Sequence, residues 1–344
     1  MKICELISFV IMLIKNLLNY ITLLIALIFS MNSYGTDSDF DTLPDDWEVA
    51  NNRNPNLADY MIATRPFLSN VYKTHVCAID DNDVSCWGGD NAYGQLNIPS
   101  ELSNPISVAV GEGHTCAIDE TGVLCWGDNN SGQTDVPDGI DEPSSLSLGP
   151  NHSCVIDKSE VICWGGSSYN GESSVPEGLS DSTVISANQN TTCAIDDNEV
   201  ICWGRGFQGN NDIPGELVNP RDISIGVSHG CAIDDVGVHC WGSDTFGRID
   251  VPNNLVNPRK ISVGYYNSCV IDDNGLQCWG SNTYGLNNIP SELSDVANVA
   301  VSIKHACALS PAGVTCWGKP DYDQDIVPEL NFDPDNDGID SSID

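Results

Sequence analysis

Between residues 66 and 330 the hydrophobic positions come in short alternating runs, broken by clusters of Asp, Asn, Gly and Pro. The stretch Ile223-Ser-Ile-Gly-Val-Ser-His-Gly-Cys-Ala-Ile-Asp-Asp-Val-Gly-Val-His-Cys-Trp-Gly242 shows the pattern. Within it, Cys231-Ala-Ile-Asp and Val238-His-Cys-Trp read as two short strands around a tight turn, because period-two alternation is what a half-buried strand requires. The pattern recurs seven times, with successive first cysteines 39, 38, 39, 38, 38 and 38 residues apart. A period of this length marks stacked units, none of which can bury its apolar faces alone. Such a unit has room for four strands of about five or six residues with their turns.

A two-residue turn fixes the pairing. In the first copy Ile79 then faces Val84 and Cys77 faces Cys86. That cysteine pair falls at a non-hydrogen-bonded site, where Cα atoms lie about 4.5 Å apart, inside the disulfide range of about 4.4–6.8 Å. The same spacing of nine recurs in Cys116 with Cys125, Cys154 with Cys163, and Cys193 with Cys202. It recurs again in Cys231 with Cys240, Cys269 with Cys278, and Cys307 with Cys316. One disulfide per repeat is expected, in a protein exported to an oxidising compartment. Zinc is the rival use of so many cysteines, but structural zinc sites take cysteines about two to four positions apart. His75, His114, His152, His229 and His305 stand two before the first Cys, while Thr191 and Asn267 fill that slot elsewhere. Three residue types at one slot suit hydrogen bonding better than a fixed metal ligand set.

The run Gly111-Glu-Gly-His-Thr-Cys-Ala117, the Trp-Gly that closes each copy, and Asn91-Ala-Tyr-Gly-Gln-Leu96 together resemble the regulator-of-chromosome-condensation repeat family. The resemblance spans about residues 66–330 and implies an all-β fold, a seven-bladed β-propeller of 38–39-residue repeats. Radial closure would leave few exposed strand edges, with the recurrent tryptophans, Trp87 to Trp317, packed between blades. The copies are shorter than the family's usual unit, carry an added Cys pair and have no long insertion. These departures argue against the family's guanine-nucleotide exchange and chromatin binding.

Residues 1–35 are a different kind of chain, almost continuously apolar from Leu6 to Met31 and ending in Ser33 and Gly35. They read as a signal peptide that would carry Cys4 away. The alternative is an uncleaved anchor, since the stretch is long enough to span a bilayer. Composition adds one exclusion. With 13 Lys+Arg against 49 Asp+Glu and a net charge of −36, the chain lacks the cationic surface that nucleic acid demands.

Two acidic segments flank the repeats. In residues 36–65, an EF-hand-like loop and linker, Asp37, Asp39, Asp41, Leu43, Asp45 and Glu48 fit positions 1, 3, 5, 7, 9 and 12 of a calcium loop, although Thr42 replaces the usual Gly. In residues 331–344, Asp333, Asp335, Asp337, Ile339 and Asp344 follow the same spacing around Gly338. Both resemble thrombospondin type 3 and EF-hand-like calcium motifs, so calcium is the expected cofactor. The rival reading is an acidic, solvated tail.

No nucleophile, zinc-protease or phosphate-loop motif is present in the sequence. The variable positions lie just before the His slot: Lys73, Glu112, Pro150, Gln189, Val227, Tyr265 with Tyr266, and Ile303 with Lys304. On a closed ring these loops would crown one face, with Tyr265 and Tyr266 as anchors. A second aromatic series, Tyr169, Phe246, Tyr284 and Tyr322, each five after its Trp, with Tyr93 and Phe207 displaced by one, reads by its regularity as packing. The expectation is a secreted or cell-envelope, non-catalytic scaffold for an extracellular protein partner, with no nucleic acid and no membrane span after leader cleavage. The alternative is a hydrolase or lyase acting on extracellular polysaccharide at the central face.

Overall fold

The computed structural model describes residues 61–63, 74–80, 84–167, 169–215, 217–319 and 323–330. All fall within one of the chain's two compact units, residues 58–344. Each copy forms a three-stranded antiparallel sheet. Blade 1 comprises Met61–Ala63, Val76–Ile79 and Val84–Trp87, and blade 2 comprises Ser107–Val110, His114–Asp119 and Gly122–Gly127. Blade 3 follows as Pro143–Leu148, His152–Asp157 and Glu160–Gly165, and blade 4 as Ser182–Asn188, Thr191–Asp196 and Glu199–Gly204. Blade 5 is Asp222–Ile225, His229–Ile233 and Val238–Gly242, and blade 6 is Lys260–Val263, Asn267–Asp272 and Gly275–Gly280. Blade 7 is Asn298–Val301, His305–Ser310 and Gly313–Gly318. The first strands of successive blades touch all the way round, blade 7 against blade 1 included. The fold is an all-β, seven-bladed propeller.

Among the described residues the fourth strand that the repeat length could hold does not form. After Trp126 the chain is folded by its own side chains instead: Asn129 accepts from Thr134 N at 3.0 Å and donates to Asp135 at 2.7 Å. Asn, Gly and Pro in this stretch satisfy or remove the backbone groups that a ladder would need.

The hairpins keep the expected register, Cys77 opposite Cys86 and Ile79 opposite Val84. All seven expected disulfides are present. Cys77 is bonded to Cys86, Cys116 to Cys125, Cys154 to Cys163 and Cys193 to Cys202. Cys231 is bonded to Cys240, Cys269 to Cys278 and Cys307 to Cys316. Their Cα atoms stand 4.0–4.1 Å apart, closer than the average spacing of an unbridged pair had led one to expect. The two ends of each bond differ in burial. The first cysteine, on the middle strand, is fully buried, whereas Cys86, Cys125, Cys163, Cys202, Cys240, Cys278 and Cys316, on the third strand, are half-buried.

Where Gly122, Gly237, Gly275 or Gly313 ends the turn, it takes the positive φ. Blades 3 and 4 have Glu160 and Glu199 there. Positive φ then moves to Lys158-Ser159 and Asp197-Asn198, the two central residues of a type I′ turn.

Middle strands are buried on both faces because period two serves two seams at once. Cys116 and Ile118 of blade 2 pack with Leu148, Val155 and Trp164 of blade 3. In blade 7, Ala306, Ala308 and Trp317 face blade 6, while Cys307 and Leu309 face Ile62, Val76 and Trp87 of blade 1. The disulfides are therefore part of the apolar seams as well as cross-links.

A polar relay crosses several seams. His114 Nε2 lies 3.0 Å from Ser153 Oγ, which donates to the Gln133 carbonyl at 2.8 Å. That carbonyl also accepts Trp164 Nε1 at 3.0 Å. The tryptophan bond occurs in every blade, each indole reaching the loop of the preceding repeat, and Trp87 closes the ring on Gln324 O at 3.1 Å. The imidazole of His114 lies over Gly111, where a Cβ would stand 2.2 Å from its Cε1, and His152 lies over Gly149 in the same way. That close approach explains the Gly-x-x-His spacing.

Candidate functional site

Each hairpin turns at one face of the ring and presents its His-slot end at the other. At the His-slot face, in blades 2–7, the backbone N–H two residues after each Trp donates to the carbonyl before the His slot. Arg205 N to Asn190 O is 2.9 Å, Ser281 N to Tyr266 O is 3.0 Å and Lys319 N to Lys304 O is 2.7 Å. These bonds hold two variable positions side by side in each blade.

Only part of the expected crown is accessible. Glu112, Pro150 and Val227 are buried, while Gln189, Tyr265, Tyr266 and Lys304 are half-buried. At two of these slots a buried side chain of the preceding loop holds the backbone. Asn210 Nδ2 reaches Val227 O at 3.3 Å, and Arg248 Nη1 reaches Tyr265 O at 2.9 Å. Lys73 and all the expected calcium ligands, Asp37 to Glu48 and Asp333 to Asp344, lie outside the described residues.

The exposed surface comes instead from the aromatic series read as packing. Tyr169 is 80% exposed, Phe246 60%, Phe207 47% and Tyr93 38%. Each sits in the loop after its Trp, immediately or two residues before a positive-φ glycine such as Gly94, Gly171, Gly209 or Gly247. The turn projects the ring outward, and the interior place is already filled by the tryptophan. These loops lean on the next blade. Tyr93 lies over Gly113, the Phe246 ring meets Tyr266 edge-on at 5.4 Å, and Tyr265 meets Tyr266 at 4.1 Å. Among the described residues every Tyr and Phe belongs to this face, and every Trp is in a seam. Burial and a hydrogen bond with Tyr266 push the Tyr265 phenol above its usual range, so it stays a neutral hydrogen-bonding group.

The cations divide by face as well. At the hairpin-turn face Lys158, Arg221 and Arg259 pair with Asp141, Asp235 and Asp273 at 2.7, 3.6 and 3.2 Å. At the aromatic face Arg205 lies over the Tyr169 ring at 5.4 Å and Lys304 over Tyr284 at 5.5 Å. On the inner strands, burial pushes Asp222 above the usual carboxylate range, against the pull of Lys260. Its oxygens accept Ile223 N and Ile261 N at 3.0 and 2.8 Å, so it stitches blade 5 to blade 6.

Residues 106–133 and 259–286 match the Regulator of chromosome condensation (RCC1) repeat. Among solved structures, the chain is similar to the ectodomain of the Physcomitrella patens receptor kinase CR4, with 21% identity, 76% of this chain and 73% of that one covered, and TM-score 0.63. It is also similar to the CRINKLY WD40 ectodomain of the Arabidopsis thaliana receptor kinase ACR4, with 23% identity, coverage of 76% and 96%, and TM-score 0.58. A third similar structure is Prp20p from Saccharomyces cerevisiae, whose binding to Gsp1p and histones is described, with 18% identity, coverage of 69% and 81%, and TM-score 0.58. No curated protein matches. The repeat matches fall in two of the seven copies, and these structures share the fold, a β-propeller.

Proposed function

We propose that this chain is a non-catalytic protein-binding scaffold of an oxidising, extracytoplasmic compartment, and that it engages its partner through the aromatic face. The observation that carries the reading is the segregation of all described Tyr and Phe side chains onto one face of a ring whose interior is built from Trp and aliphatic residues. Tyrosine and arginine concentrate binding energy at interfaces, and rigid two-torsion aromatic side chains lose little entropy on contact. Seven disulfides fit an exported protein, and residues 1–35 would supply the export signal. No described helix is long and apolar enough to cross a membrane. Calcium binding at the two acidic flanks belongs to the same reading and rests on ligand spacing alone.

The test is capture from the extracytoplasmic fraction of the producing organism on immobilised chain, run beside a Y265A/Y266A variant. A protein retained by the parent and lost by the variant supports the scaffold. Retention of polysaccharide alone, or of the same proteins by both chains, removes it.

A further inference from the structure

Buried aspartates of this ring are met by donors. Asp157 Oδ1 accepts Asp141 N and Glu142 N at 3.1 and 2.6 Å, and both oxygens of Asp222 are held by backbone N–H groups. Glu172, in the loop after blade 3, is different. It is 2% exposed, and its Oε1 accepts Ser167 N at 2.8 Å. Its Oε2 is buried without a hydrogen-bond partner. An ionised carboxylate left in that state is costly unless a positive charge joins it.

The other copies show what this slot asks for. It holds Gln95, Gln133, Asn210, Arg248, Leu286 and Gln324. Asn210 Nδ2 donates to Val227 O at 3.3 Å, Arg248 Nη1 to Tyr265 O at 2.9 Å and Gln324 Nε2 to Thr74 O at 3.0 Å. Gln95 and Gln133 leave Nε2 unpaired, a neutral group that an internal water can serve. Glu172 alone puts a negatively charged acceptor where the other polar residues put a donor. The neighbouring turn supplies another acceptor. A Cβ on Gly204 would meet Asn190 O and, at 3.2 Å, Glu172 Cα, so the Gln189-Asn190 turn lies beside this loop. Gln189 Oε1 is likewise buried without a partner. Arg205, the exposed cation of this sector, lies over the Tyr169 ring instead.

We infer that Glu172 Oε2 and Gln189 Oε1 bind a monovalent metal cation, sodium or potassium, in the seam between blades 3 and 4. Oxygen donors suit a hard cation, and these two side chains present none of the nitrogen or sulfur ligands that transition metals favour. The charge selects the valence. One carboxylate among neutral oxygens is balanced by one positive charge, whereas a divalent ion would leave net charge buried. Tyr169 stands three residues before Glu172, so the ion ties down the loop that carries the most exposed ring of the aromatic face.

The experiment frees the full chain of metal by chelation and exchanges it into choline chloride. Urea midpoints are read by tryptophan fluorescence as NaCl or KCl replaces choline chloride at a constant ionic strength of about 0.15 M. Constant ionic strength cancels the general screening of the net charge of −36. The expected result is a midpoint that rises with sodium or potassium, as it must for a ligand held by the folded state, and no rise in E172Q. Glutamine already occupies this slot as Gln95 and Gln133, so E172Q is expected to fold. Q189A, at a half-buried position, should need about tenfold more cation for the same rise, and it keeps the test available if E172Q folds poorly. Equal midpoints in all three salts, an equal rise in parent and E172Q, an unchanged curve in Q189A, or a rise with calcium chloride alone would each overturn the inference. None of these outcomes touches the scaffold reading, because capture sensitive to Y265A/Y266A is read separately.

Discussion

The Ser153 hydroxyl stands between two partners, 3.0 Å from His114 Nε2 and 2.8 Å from the Gln133 carbonyl. A carbonyl can only accept, so the hydroxyl proton points to Gln133 and the imidazole must donate from Nε2. The same arrangement joins His75 to Thr115, His152 to Thr192 and His229 to Ser268. Where the next blade offers Gly230 or Ala306 instead of a hydroxyl, the preceding His slot holds Thr191 or Asn267. Asn267 then turns its amide to the Ser281 carbonyl and to Asn287. The pairing is not absolute, since His305 precedes Val76.

Removing one member of this pair should cost more than removing both. S153A leaves a buried N–H of His114 without its acceptor and should destabilise by about 1–3 kcal/mol. H114N/S153A copies the natural Asn267/Ala306 combination and should recover part of that loss. Urea unfolding of the two single variants and the double variant measures the coupling. Additive losses would mean that the two side chains act independently.

Acid should weaken the ring before its carboxylates titrate. Burial lowers His114 from 6.5 to about 3, with neighbouring His152 and His75 adding to the effect. Burial, aided by Arg248, lowers His229 to about 3, and burial alone lowers His305 to about 4. The unfolded chain binds protons at these groups below pH 6.5 and the folded chain does not. Their stabilising contribution is therefore complete above pH 6.5 and falls as pH drops toward about 3–4, by up to about 1.4 kcal/mol per pH unit for each histidine. Urea midpoints between pH 7.5 and 4.5 should fall steadily, and less steeply in H305N. A flat profile over that range would contradict the neutral, buried state of these rings.

Alkylation without reductant should label none of the fourteen repeat cysteines, as read by intact mass. Each disulfide closes a short loop, so replacing Cys116 and Cys125 together by Ala should lower stability by about 2–3 kcal/mol. The loss includes the packing of Cys116 against Trp164 and Leu148. Label on any repeat cysteine of the native protein, the half-buried Cys125 or Cys240 included, would break the one-bond-per-blade arrangement.

Calcium is tested on the whole chain by titration calorimetry. Binding at millimolar concentration or tighter, lost in D37N/D39N/D41N or in D333N/D335N/D337N, would assign the flanking segments. Absence of heat in the parent would remove calcium from the functional reading.

Much of the architecture was legible because it depends on period-two alternation and on nine-residue cysteine spacing, both of which are local. The register of Cys77 with Cys86 followed from turn length alone. The missing fourth strand was hidden because Asn129 and its neighbours are compatible with a polar edge strand, until their side chains are seen to bond their own backbone. The first strand of blade 1 comes from Met61–Ala63, in the stretch read as linker, because a three-residue pairing with Cys77–Ile79 leaves too short a pattern to stand out. The exposed aromatics were misread for a simpler reason: regular recurrence marks a shared backbone environment, and that environment was a turn. The signal available was a Tyr or Phe followed within two residues by Gly, in a copy whose Trp already filled the interior.

Gln324 receives the Trp87 indole and returns its own amide to Thr74 O at 3.0 Å. Six of the seven tryptophans find their acceptor in chain already made, a few tens of residues upstream. Trp87 must wait for residue 324, almost the whole length of the ring. A chain emerging from a ribosome or a translocation pore can therefore add blade upon blade as it appears, while its first blade keeps one wall exposed to solvent until the end. Until then that opening is the part of the ring most in need of cover, and a chain broken off before residue 324 would carry it permanently.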